Sequence, residues 1–151
     1  YIFYQKCNIL ITQFYLITSI LSIFVVKALF LKIYSFEYVD AISIYSVLTV
    51  SVFFKANGAL QTGHVTIRNI AKKILYKTFS GLIINMILNY YFIKKFGIIG
   101  AALATAITNF ITLFLLDFFI KEYYRQAIIQ LKSLNIFNLK NIKNMFKMKF
   151  D

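Results

Sequence analysis

The sequence predicts an all-α integral membrane protein with four transmembrane helices, and composition and charge placement both point to this fold class. Of the 151 residues, 60% are apolar and 15% are charged, and the mean hydropathy is +0.73. A soluble domain is roughly 45–50% apolar and about 25% charged. Long uncharged runs alternate with short segments that hold nearly all the charges, which is how membrane proteins distribute Lys and Arg. The composition therefore argues against a water-soluble monomer.

The first two spans are predicted at residues 8–26 and 41–60. A bilayer core about 30 Å thick needs roughly 20 apolar residues in a helix. Residues 8–26 contain no charge, and Lys27 closes the run. Residues 41–60 are interrupted only by Lys55. Each segment is therefore long enough to cross a bilayer.

The third and fourth spans are predicted at residues 74–93 and 96–116. The third is uncharged only from residue 78, but Lys77 and Lys94 can extend their ammonium groups toward water from its two ends. The fourth is uncharged throughout. None of the four runs alternates apolar and polar residues as the strands of a membrane barrel do, so helices are favoured.

Basic residues predict the orientation of these helices. Segments 61–77 and 117–151 share one side of the membrane and hold most of the Lys and Arg residues between and after the spans. The positive-inside rule places that side, and the C-terminus, in the cytoplasm. The sequence is thus divided into a transmembrane segment, residues 1–119, and a basic cytoplasmic tail, residues 120–151.

The tail allows two interpretations. Leu139, Ile142 and Phe146 are spaced as one apolar stripe of a helix that lies on anionic lipid. Alternatively, the tail is a solvated positive segment. The sequence leaves both open.

Small and polar residues recur at helical spacing on the third and fourth spans. Such rows let two helix backbones approach closely, and Asn in a bilayer needs a partner, so these faces are predicted to pack together as an antiparallel pair. The third span contributes Gly81, Asn85 and Asn89; the fourth contributes Gly100, Ala104 and Thr108 in one row, and Gly97, Ala101 and Thr105 in the adjacent row.

Residues 81–108, GLIINMILNYYFIKKFGIIGAALATAIT, resemble the last helical hairpin of the bacterial polysaccharide and O-antigen flippases, which belong to the multidrug/oligosaccharidyl-lipid/polysaccharide exporter superfamily. Lys94 stands where that family usually has proline. The positions that match the family pattern are Asn85, Asn89, Gly97, Gly100, Ala101, Ala102, Ala104 and Thr105.

The resemblance implies a larger assembly and a function. Members have about twelve helices in two lobes, so the chain would hold the last four helices of the second lobe. The start at Tyr1, with the first methionine at Met86, agrees with a piece of a longer protein. The implied function is to flip a polyprenyl-diphosphate-linked glycan across the bacterial cytoplasmic membrane, and the implied partners are the bilayer, that glycan and the remaining helices.

Lys55 is the best candidate for contacting the diphosphate. An intramembrane charge is costly and suggests a function, and a diphosphate needs basic partners at a low-dielectric site. Snorkelling to the membrane surface is the structural alternative for this lysine. Asn85 and Asn89 are candidates for facing the substrate, although helix packing also explains them.

Other functional classes are weaker. A cation-coupled drug exporter of the same superfamily usually needs a buried carboxylate, and the five acids are predicted at span ends or outside the spans. A membrane-bound glycan-assembly enzyme is disfavoured because His64, the single histidine, has no acidic or histidine neighbour for a catalytic or metal site. Cys7 alone cannot form an internal disulfide. We therefore expect no enzyme activity, no metal, no cofactor and no nucleic-acid partner.

Overall fold

A computed structural model describes residues 2–33, 39–67 and 71–133, and these residues are helical apart from the turn positions 97 and 120. The prediction of an all-α fold is confirmed for this part of the chain. The predicted apolar stripe at Leu139, Ile142 and Phe146 lies outside the described residues. The helices are α1 (Ile2–Ile33), α2 (Val39–Ile67), α3 (Ala71–Phe96), α4 (Ile98–Phe110), a π-helical segment (Ile111–Leu115), α5 (Leu116–Phe119) and α6 (Lys121–Ser133).

Three stretches of helix in the described ranges are long and apolar enough to cross a membrane: Lys6–Phe30, Asp40–Gln61 and Ile98–Phe119. They correspond to the predicted spans 8–26, 41–60 and 96–116. The remaining predicted span, residues 74–93, lies within α3, and α3 is not one of these three candidate membrane-spanning stretches. Asn85 and Asn89 in its middle and lysines near both its ends make α3 less apolar than the others.

The helices pack in the order α1, α2, α4, α3. α1 contacts α2 through the Thr12 hydroxyl, which donates to Asn57 Oδ1 at 2.8 Å. α2 contacts α4 through Asn109, whose amide donates to Ser51 Oγ at 2.5 Å. α3 and α4 form an antiparallel hairpin.

Gly97 is the turn of that hairpin. Its φ of +60° lies in the left-handed region that favours glycine, and its N–H donates to the Ile93 carbonyl at 2.8 Å. Just beyond the turn, a Cβ on Gly100 would lie 2.0 Å from the Phe92 carbonyl oxygen. Because only glycine permits this approach of two backbones, the start of α4 packs directly on the end of α3.

The buried interior is polar and the exposed surface is apolar. Buried residues include Asn8, Thr12, Ser51 and Gln61, whereas Phe24 and Phe119 are 69% and 83% exposed. This arrangement is unfavourable in water but favourable in hydrocarbon. In hydrocarbon, apolar side chains can face the solvent, whereas polar groups find hydrogen-bond partners only inside the bundle. The distribution agrees with a membrane protein.

α6 lies across one end of the bundle, which we call the α6 end. Its buried face contacts α1 and α5, and Ser133 Oγ at its C-terminus lies 3.1 Å from Thr12 Oγ1 of α1. Sequence analysis assigned residues 120–151 to a tail; the structure shows that residues 121–133 of this segment form a packed helix.

Candidate functional site

A buried ion pair joins α3 to α5, just beyond the π-helical segment, at the α6 end. Lys77 Nζ donates to Asp117 Oδ1, and their side chains are 8% and 0% exposed. Gln61 of α2 closes a ring with both: its Nε2 donates to Asp117 Oδ2, and its Oε1 accepts from Lys77 Nζ at 3.2 Å. We call Lys77, Asp117, Gln61 and Tyr123 the charge cluster.

Tyr123 of α6 completes the cluster. The Lys77 ammonium lies 4.4 Å from the centroid of the Tyr123 ring, a cation–π distance. The phenol is buried, and this burial, together with the negative charges of Asp117 and Glu122, raises the pKa of Tyr123 above 10.0. The ring therefore stays neutral and presents its face to the lysine.

A second, more exposed ion pair lies next to the cluster. Lys73 Nζ donates to Glu122 Oε1 at 2.6 Å, and the two side chains are 43% and 34% exposed. The hydrogen bond from Lys73 lowers the pKa of Glu122 below 4.5. Glu122 and Tyr123, adjacent on α6, thus contact Lys73 and Lys77, which lie one helical turn apart on α3. These contacts hold the start of α6 against α3.

The π-helical segment explains how Asp117 becomes buried. Gly100, Ala104, Thr108 and Thr112 are buried and recur every four residues, so an uninterrupted α-helix would continue the row at Leu116. One π turn makes the next step five residues and brings Asp117 onto the buried face instead. Asp117 therefore faces Lys77 and Gln61.

A cavity of about 250 Å³ adjoins the cluster between α3 and α4. Lys77 and Tyr123 line one part of it. Gly81 and Thr108, two of the predicted packing positions, line another part together with Thr112. A Cβ on Gly81 would lie 2.9 Å from Thr112 Cγ2, so the missing side chain leaves room for the threonine.

The two predicted asparagines lie on the same helix interface. Asn85 Nδ2 donates to Thr108 Oγ1 at 3.2 Å, and Asn89 Nδ2 donates to Asn85 Oδ1 at 2.8 Å. The amides thus form a chain of hydrogen bonds from α3 to α4. A role for either in substrate contact stays a prediction.

The remaining predicted positions lie apart from the cluster. Ala101 and Thr105 are half-buried, Ala104 is fully buried, and Gly97 is exposed in the turn. Lys55 is exposed on α2 and lines neither this cavity nor the aromatic cleft described below. The structure therefore does not bring Lys55 together with Asn85 and Asn89, and its contact with a diphosphate also stays a prediction.

Sequence analysis did not single out Asp117, Lys77, Gln61 or Tyr123 as a site. Asp117 does lie at the end of a predicted span, but the structure buries it completely. The available signal was an acid directly after a long apolar run, with lysines at the matching end of the preceding helix. Among the described residues, no three His, Cys, Asp or Glu side chains lie together as a metal site requires.

Comparison with protein-family models, with curated protein sequences and with solved structures found no match to this chain.

Proposed function

We propose that the chain is part of a membrane transporter that flips a lipid-linked oligosaccharide across the bacterial cytoplasmic membrane by alternating access. The observation that supports transport is the buried Lys77–Asp117 pair, because ionisable groups inside membrane bundles mark substrate and ion pathways. The choice of cargo rests on the resemblance of residues 81–108 to the polysaccharide flippases.

The proposal includes an arrangement in the membrane. α3 also crosses the membrane, as the predicted third span, with Lys72 and Lys73 at one end and Lys94 and Lys95 at the other lying at the membrane surfaces. The four helices are the last four of a twelve-helix transporter with two lobes, and the α6 end and C-terminus face the cytoplasm. The partners are the bilayer, a polyprenyl-diphosphate-linked glycan and the other helices; no enzymatic step is involved.

A bacterial strain that lacks its own flippase provides the test. The gene that encodes this chain, with any flanking coding sequence, should restore glycan export. Lys55→Arg should also restore it, because Arg keeps the positive charge for a phosphate, whereas Lys55→Gln should not. Both variants must be equally abundant in the membrane. No export with the natural sequence would contradict the proposed cargo, and full export with the Gln variant would remove Lys55 from the site.

A cation-coupled exporter of the same superfamily is the second candidate, and Asp117 is the observation that favours it. Sequence analysis argued against this function because the acids were predicted at span ends or outside, but Asp117 is 0% exposed inside the bundle. A buried carboxylate is the group that such exporters use for protons, sodium or cationic drugs. Efflux of a cationic dye that depends on Asp117, without glycan export, would favour the exporter.

A further inference from the structure

A second cavity, distinct from the charge cluster, lies between α2 and α4 and has an aromatic wall. Its volume is about 320 Å³, roughly twice that of an engineered apolar cavity of about 150 Å³ that takes up benzene. Four phenylalanines line it, with ring centroids 5.3 Å apart for Phe54 and Phe110 and 5.6 Å apart for Phe110 and Phe114. We call it the phenylalanine cleft; its lining is Thr12, Val50, Phe53, Phe54, Asn57, Phe110, Leu113, Phe114 and Gln130.

The cleft opens on the surface of the bundle. Val50 and Phe110 line it, yet they are 48% and 36% exposed. Both belong to stretches that are apolar and long enough to cross a membrane, so in a chain that spans a bilayer with this face outward the opening meets lipid. A hydrocarbon chain can therefore enter the cleft from the bilayer without crossing water.

The backbone beside the cleft departs from α-helical geometry. Leu113 and Phe114 belong to the π-helical segment, and Phe110 immediately precedes it. Leu113 also packs where Gly58 has no side chain, since a Cβ there would lie 2.8 Å from Leu113 Cδ2. π segments inside α-helices occur frequently at functional sites.

A hydrogen-bond donor without a partner lies just behind the wall at one end of the cleft. Gln130 of α6 lines the cleft and is 4% exposed, and its Nε2 has no hydrogen-bond partner among the described residues. The other two polar residues of the lining are paired with each other, since Thr12 donates to Asn57. A buried donor without a partner is unfavourable, so this end of the cleft favours a ligand that brings an acceptor oxygen.

From these observations we infer that the phenylalanine cleft is a binding site for a membrane phospholipid. One acyl chain lies against the phenylalanine rings, and the Gln130 side chain turns toward the cleft so that its Nε2 donates to an ester or phosphate oxygen. The direction is consistent with a bilayer, because Gln130 belongs to the α6 end while Val50 and Phe110 lie deeper along the spans. The inference requires that the chain spans a membrane and does not depend on the proposed cargo.

Photolabelling tests the site. The protein is reconstituted in vesicles of phosphatidylethanolamine and phosphatidylglycerol that contain a phosphatidylglycerol with a photoreactive diazirine in one acyl chain. After illumination, the labelled peptides should map to the lining residues of α2 and α4. Label spread evenly over the exposed apolar faces of α1 and α3 would overturn the proposal.

Two valines provide a matched pair of variants at the opening. Val50 and Val52 lie on the same helix and are 48% and 47% exposed, but only Val50 lines the cleft. Val50→Trp should close the opening and reduce the label severalfold, and Val52→Trp should leave it unchanged. Equal labelling of both variants would contradict a site in the cleft.

Gln130→Met tests the head-group contact, because methionine keeps the shape and removes the donor. It should reduce labelling by the phospholipid severalfold but not labelling by a diazirine-bearing alkane that has no head group. Loss of both labels, or of neither, would contradict the proposed hydrogen bond. If excess polyprenyl phosphate removed the phospholipid label, the carrier lipid would be the occupant and the assignment to phospholipid would be wrong.

Discussion

At the scale of residues, the charge cluster is a closed set of partners. Lys77 is surrounded by a carboxylate, an amide oxygen and an aromatic face, and Asp117 accepts from both Lys77 and Gln61. Burial makes this geometry necessary. The attraction between two buried charges offsets the free energy of removing them from water only when further hydrogen bonds satisfy their remaining polar atoms.

Lys77→Met should therefore be strongly destabilising. It leaves Asp117 buried without its counter-charge, which typically costs about 3–5 kcal/mol, whereas the double variant Lys77→Met/Asp117→Leu should recover most of that loss. Lys73→Met, in the exposed pair with Glu122, should cost far less, because solvent screens an exposed ion pair. Unfolding in detergent micelles measures all three. Equal losses for Lys77→Met and Lys73→Met would show that the cluster is not buried as described.

Sequence reasoning identified the charges of this cluster but not the pairing. The sequence alone predicts Lys77 as a lysine that snorkels from the end of a span and Asp117 as an acid beyond a span. Both interpretations assume that a charge near a helix end reaches water. The packing of α6 over this end removes that water, and a sequence does not show which later segment returns to cover a helix terminus.

At the scale of elements, the α3–α4 hairpin is the part that spacing predicted in most detail. The small-residue rows indicated an antiparallel pair, and the structure has one, with Gly100 against the Phe92 carbonyl. The predicted spans leave residues 94 and 95 as the connection, whereas in the structure α3 continues to Phe96 and only Gly97 forms the turn. The π-helical segment was not predicted, because residues 111–115 carry no Pro or Gly that would signal a change in helical geometry.

Gly100→Ala should test the close approach of the two helices. The added methyl would lie 2.0 Å from a backbone oxygen, so the helices must separate, at a cost of about 1–3 kcal/mol as for other overpacked sites. Gly81→Ala is the matched control. Its methyl would meet the Thr112 side chain at 2.9 Å, which can move more easily than backbone. A melting temperature in detergent that falls no more for Gly100→Ala than for Gly81→Ala would contradict the packing.

At the scale of the whole molecule, charge placement predicts the orientation of the chain. Single cysteines at Asn69, Lys95 and Asn138, in a Cys7→Ala background, should differ in their reaction with a membrane-impermeant thiol reagent. In intact cells only the cysteine at 95 should react, because the positive-inside rule places the other two in the cytoplasm. Reaction at 138 but not at 95 would reverse the orientation.

At this scale the sequence predicts the features of the fold that a bilayer requires, namely helical structure and the length of the spans. Apolar length predicted three helices that the structure also has as candidate spans, and the absence of alternation predicted helices rather than strands. The order α1, α2, α4, α3 was not predictable, apart from the α3–α4 pair. Helix order in a bundle depends on polar contacts such as Thr12–Asn57 and Ser51–Asn109, whose partners are far apart in sequence.

A flipping measurement tests the proposed transport most directly. The protein, with any flanking sequence its gene encodes, is reconstituted in vesicles that contain a fluorescent lipid-linked oligosaccharide, and an impermeant reductant is added to bleach the outer leaflet. The proposal predicts that the reductant bleaches nearly all the fluorescence, because lipid from the inner leaflet is flipped outward, whereas protein-free vesicles keep the inner fraction. A protected fraction equal to that of protein-free vesicles, from protein shown to be folded, would contradict it.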